Sequence, residues 1–134
     1  ESHMLPITSL FAGLFALYFV RLAFNVIRLR RVNKVALGDG GASDLEGAIR
    51  AHGNFAEYVP IGLILLALME SHRAHAWFVA LLGGLLALGR VLHAHALSKG
   101  DLRLRVRGMM LTFGTLITLA VANIVFAART WMAI

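Results

Sequence analysis

The chain has no cysteine, only two prolines, and seven acidic residues against thirteen lysines and arginines. Without cysteine there can be no disulfide framework and no thiolate metal site. Scarce acids leave a formal charge of +6, which in a soluble protein would suggest nucleic acid. Charged residues of either sign make up only 15% of the chain, while 59% is hydrophobic. That is too little polar surface to cover a water-soluble domain of 134 residues. The excess apolar surface must face lipid, and the basic residues lie between the apolar runs, so we read them as membrane-flanking and not as nucleic-acid contacts.

Four apolar segments can be drawn, over about Leu5–Leu29, Leu45–Met69, His75–Leu97 and Val106–Ala128. A bilayer core of roughly 30 Å takes roughly 20 helical residues, so each is long enough to cross. The apolar residues run continuously and do not alternate, which excludes a strand reading. The predicted architecture is all-α: a four-transmembrane-helix bundle in one domain, residues 4–134. Glu1–His3 ("ESH") read with Met4 as a cloning scar and are set apart. "RRVNKVALGDGGASD" is a loop with turn signals at Gly38–Gly41, "ESHRAH" a tight turn, and "SKGDLRLR" the third connection.

Loops one and three hold Arg28, Arg30, Arg31, Lys34, Lys99, Arg103, Arg105 and Arg107, whereas the other side has Arg73 and Arg129. The asymmetry places loops one and three in the cytoplasm and both termini outside.

Polar residues inside the spans are costly in hydrocarbon and point to function. Arg50, Asn54 and Glu57 fall within an arc of about 60° on a helical wheel, and Arg21, Asn25 and Arg28 repeat that spacing on the first span. On the third span Arg90 and His93 share a face. Glu57 is the one acid deep in the spans, and it is expected beside Arg50 or Arg90, as a ligand contact or as an internal brace. Arg21 and Arg28 can also snorkel to headgroups, and Lys99, Arg103 and Arg105 are explained by the charge asymmetry alone. His52 lies opposite Arg50 and reads as a packing residue. His93 and His95 lack a third ligand, so no metal site is expected. The arginines outnumber the acid, and guanidinium suits bidentate binding of carboxylate or phosphate. The sequence therefore predicts an anionic ligand between helices near the cytoplasmic face.

"RAHGNFAEYVP" (residues 50–60), followed by an apolar span, resembles the signature of the MAPEG family, the membrane-associated proteins in eicosanoid and glutathione metabolism. Arg50, Ala51, Asn54, Glu57, Tyr58 and Pro60 fit its pattern, close to R-A-x-x-N-x-x-E, an aromatic or apolar pair and proline. "IRLRR" (27–31), "GRVLH" (89–93) and "RVRGMMLT" (105–112) add support in order along the chain. The resemblance implies a homotrimer with glutathione, as co-substrate, held between subunits. It implies binding roles for Arg28, Arg50, Asn54, Glu57, Tyr58, Arg90 and His93. Arg107 would face the thiol and favour the nucleophilic thiolate, with Arg105 and Arg103 as alternatives. The implied activity is a glutathione-dependent transferase or peroxidase acting on apolar electrophiles or lipid hydroperoxides in a bacterial inner membrane. The alternative is a non-catalytic lipid- or small-anion-binding membrane protein on the same scaffold. Leu97 and Leu111 stand where eicosanoid-making members carry tyrosines, and Gly53 where an arginine often sits. A small multidrug exporter is disfavoured, because the first span has no acid.

Overall fold

The computed structural model describes residues 4–134; the predicted scar, Glu1–His3, lies outside the described residues. Four helices follow one another: α1 (Pro6–Asn33), α2 (Ser43–Ser71), α3 (Ala76–Lys99) and α4 (Leu102–Met132). All four are long and apolar enough to cross a membrane. α2 and α4 run past the predicted spans at both ends, and α1 and α3 past their C-terminal ends. A helix satisfies its own backbone whether its side chains sit in lipid or in water, so Arg30, Arg31 and Arg103 stay helical beyond the apolar core.

Local sequence explains the ends. Pro6 opens α1, where its missing N–H costs nothing. Leu5 gives no side-chain cap. The orphan amides of Ile7 and Thr8 donate instead to the two carboxylate oxygens of Glu70, at 2.9 and 2.8 Å, from the far end of α2. A carboxylate is suited to the positive end of the helix dipole. α1 closes on Lys34 in the left-handed region, with Val35 N–H donating back to Arg30 O at 3.0 Å. The first connection then turns on Gly38, Gly40 and Gly41, all at positive φ. Gly100 ends α3 in the same way, and Asp101 caps α4 by accepting from Leu104 N–H at 3.0 Å.

α2 and α3 form the short diagonal of the bundle. Each packs against the other and against both outer helices, while α1 and α4 do not meet. Three apolar clusters fill the interior. One joins Leu66, Met69, Val79, Leu82 and Leu119, one joins Phe15, Phe55, Val59 and Leu86, and one joins Leu29, Leu45 and Ala48 next to loop one. His52 stacks on Phe19 with ring centroids 4.5 Å apart, the packing role expected of it. The outward faces stay apolar, as at Leu10, Leu14, Phe24, Ile117 and Ile124.

The closest helix approach is between α3 and α4. A Cβ on Gly89 would stand 2.7 Å from Thr112 Oγ1, and one on Gly108 would stand 2.8 Å from the backbone nitrogen of His93. Small residues let the two backbones touch, as in membrane helix pairs generally. The small residues Gly83 and Gly84 on α3 and Gly108 and Thr112 on α4 would also suit close packing between subunits. Gly108 and Thr112 are buried inside the chain against α3, and Gly83 is covered by the Phe11 ring. Of the four, Gly84 alone has open space around it.

Candidate functional site

The loop-one end of α2 carries the polar stripe. Arg50, Asn54 and Glu57, with Ile49 and Gly53, form one wall of a groove of about 240 Å³. His93 and Leu97 of α3 and Arg105 of α4 form the opposite wall. The groove is polar, unlike the second cavity, which lies between α1 and α2 and is lined by Phe15, Phe19, Phe55 and Pro60. His93 is buried and faces the groove, and its ring makes no hydrogen bond among the described residues. Arg50 reaches Glu46 at 3.3 Å, one turn earlier. Both side chains are at least half exposed, so the pair contributes little and leaves Arg50 available.

Arg90 is the most consequential side chain. It is 2% exposed and lies in the middle of the bundle. Its Nε and Nη2 donate to Thr112 Oγ1 at 3.0 and 2.7 Å, Nη2 also approaches Met109 Sδ at 3.1 Å, and Nη1 donates to Asn54 Oδ1. The guanidinium lies 5.1 Å from the centre of the Tyr58 ring, a cation–π geometry. Tyr58 is held edge-on against Phe113. Thr112 passes its own proton to Gly108 O at 2.9 Å, so its oxygen is left to accept from Arg90. The Gly89–Gly108 crossing brings Thr112 close enough to do this.

This arrangement corrects the expected pairing of Glu57. Neither Arg90 nor Arg50 donates to it: Asn54 and Thr112 take the first cation, and Glu46 the second. Glu57 is exposed and faces the groove without an ion-pair partner among the described residues. Arg90 and Tyr58 do not line the groove; they brace its Asn54 wall from behind. Arg28 is exposed on α1 and donates to Asn25 at 2.9 Å, away from the groove of its own chain. Arg107 is exposed on a different face of α4, two residues and about 200° around the helix from Arg105. Within one chain, then, the arginine of α4 that enters the groove is Arg105. Of the expected residues, the fold brings together Arg50, Asn54, Glu57 and His93, with Arg105, one of the two alternatives to Arg107.

Thr112 and Glu46 had not been singled out for these roles. Thr112 is neutral and reads as ordinary in an apolar span. The available signal was its placement four residues after Gly108, which makes it a buried acceptor beside a helix crossing.

The MAPEG family model matches residues 8–125, nearly the whole bundle. The chain belongs to the MAPEG family. It is also 40% identical over 118 residues to the inner membrane protein YecN of Escherichia coli strain K12, covering 88% of this chain and 90% of that protein. YecN of E. coli O6:H1 matches to the same extent. The matched region of this MAPEG chain contains every groove residue and the Arg90 network.

Proposed function

We propose that the protein is a glutathione-dependent transferase or peroxidase of a bacterial inner membrane, with its groove as the glutathione site. The observation that carries this reading is the groove itself. Arg50, Arg105, Asn54, Glu57 and His93 converge at the loop-one end of a MAPEG bundle. Two guanidinium groups suit the carboxylates of a peptide-like anion, and Glu57 suits its amino group. In this reading Arg105, which lines the groove, stabilises the thiolate. The sulfur then attacks an apolar electrophile arriving from the bilayer and displaces its leaving group, or attacks the outer oxygen of a lipid hydroperoxide and releases the lipid alcohol, the oxidised sulfur being returned by a second glutathione as disulfide and water. In this reading the groove faces the cytoplasm, in line with the positive-inside rule.

The same reading calls for a homotrimer. Arg21, Arg50 and Glu57 are exposed in membrane-spanning helices of the single chain. Charged groups in such positions ordinarily face a bundle interior. Subunit packing would enclose them, and would bring Arg28 or Arg107 of one chain toward the groove of another.

Calorimetric titration of the detergent-purified protein with glutathione tests the proposal. Saturable binding with turnover of an apolar electrophile is expected. Arg105→Ala should lower turnover at saturating glutathione by about 10²-fold or more, as loss of a charge-stabilising donor does elsewhere. Arg107→Ala should do so only if a neighbouring chain supplies it. Leu97, an apolar wall residue, favours a second reading: a non-catalytic protein that holds a lipid or small anion. Glutathione binding without any turnover would support that alternative.

A further inference from the structure

The Asn54–Arg90 contact carries a consequence for the groove. A guanidinium has only donors, so the group that Asn54 turns toward Arg90 must be its oxygen. Arg90 cannot shift to relieve this, because Nε and Nη2 are both committed to Thr112 Oγ1. Thr112 cannot offer Asn54 a proton, since its hydroxyl donates to Gly108 O. The Asn54 amide is therefore pinned in one orientation. Its nitrogen makes no hydrogen bond to any described residue, and Asn54 lines the groove. The His93 ring, across the groove, is buried and also has no hydrogen-bond partner among the described residues.

We infer that Arg90 is a positioning residue that acts through Asn54: it turns the amide oxygen inward, so that the amide nitrogen is a committed donor to a carboxylate of the ligand. An asparagine free to flip would accept a donor or an acceptor equally. One held by a buried cation serves an acceptor alone, and the buried positive charge behind it favours an anion. Ester and amide carbonyls also accept hydrogen bonds, so the preference for a carboxylate over them originates in that charge, on a side chain that does not line the groove. The inference rests on the proposed glutathione reading only for the identity of the molecule that carries the carboxylate.

Asn54→Asp separates this role from a structural one. Aspartate gives Arg90 an anionic partner but presents the groove with an acceptor where a donor stood. The detergent-solubilised Asn54→Asp protein should melt at a higher temperature than wild type without ligand. It should bind glutathione at least about tenfold more weakly. A contact that mattered only for stability would not move the two readouts in opposite directions. In the wild type, glutathione diethyl ester should bind at least about tenfold more weakly than glutathione. Arg90→Met, which removes the buried charge and lets the amide turn, should narrow that gap; if it does not fold, the Asn54→Asp comparison still decides. A lower melting temperature for Asn54→Asp, or glutathione affinity equal to wild type, overturns the inference. Glutarate, a plain dicarboxylate, separates it from the functional reading. Wild-type binding of glutarate but not glutathione, lost in Asn54→Asp, sustains the inference and removes the glutathione assignment. Binding of neither removes both.

Discussion

A cation buried in a membrane protein with neutral partners alone is held by geometry. Arg90 has two hydrogen bonds to one threonine oxygen, one to an asparagine oxygen, a thioether and an aromatic face. Thr112→Val keeps the shape of the side chain and removes the acceptor shared by Nε and Nη2. Buried donors left unmatched cost about 1–3 kcal/mol, and more when the group is charged. Thr112→Val is therefore expected to lower the melting temperature in detergent clearly, while Thr112→Ser, which keeps the hydroxyl, should lower it much less. Equal stability of the two variants would show that Thr112 does not hold the guanidinium. The sequence showed this residue only in part. Arg90 and Asn54 stood out as polar groups in apolar spans, but an arginine there suggests a carboxylate, and the nearest candidate was Glu57. The actual partners are neutral, and neither charge counting nor helical spacing identifies a threonine oxygen on another helix.

At the scale of the helices, two contacts set how the elements sit. The first is the crossing of α3 over α4. Gly108→Ala would push a methyl group against the His93 nitrogen and the Gly89 oxygen, at 2.8 and 2.9 Å, both backbone atoms that cannot turn aside. Overpacking of this kind typically costs about 1–3 kcal/mol. Because Thr112 is carried on the same helix, the shift should also loosen Arg90. The expected outcome is a lower melting temperature together with weaker ligand binding, whereas Gly84→Ala, with open space around it, should be neutral. The second contact is Glu70 on the start of α1. Glu70→Gln keeps the size of the side chain and removes the charge at a helix N-terminus, for an expected loss of about 0.5–2 kcal/mol. Faster amide exchange confined to Ile7, Thr8 and their neighbours would confirm the location. The helices themselves were legible, because uninterrupted apolar runs bounded by charge leave little alternative. The Glu70 contact was not, because its partners are backbone amides 63 and 62 positions away and leave no mark in side-chain pattern.

For the whole molecule, the apolar outer surface and the exposed polar stripe of α2 make opposite demands on one chain. Lipid suits Leu10, Leu14 and Ile117 but not Arg50 or Glu57. The proposed trimer would resolve this by covering the stripe. The detergent-corrected mass is expected to be that of three subunits, and a single-subunit mass under conditions that preserve ligand binding would refute the assembly. The orientation can be tested directly, since the chain has no cysteine of its own. A single cysteine at Asp39 in loop one should be shielded from an impermeant thiol reagent in intact cells, and one at His72 in the second connection should react.

The Glu70 contact also bears on how the chain is made. The first helix emerges with its leading amides unmatched, and the carboxylate that receives them is synthesised more than sixty residues later, at the end of the second helix. Until then those amides depend on water or headgroups at the membrane surface. Arrival of Glu70 joins the start of the first helix to the end of the second and closes them into a hairpin before the third helix exists. α1 gains nothing from the last helix, which it does not touch. Insertion into the bilayer should therefore proceed in halves, with the first pair of helices already fastened when α3 and α4 arrive to enclose Arg90.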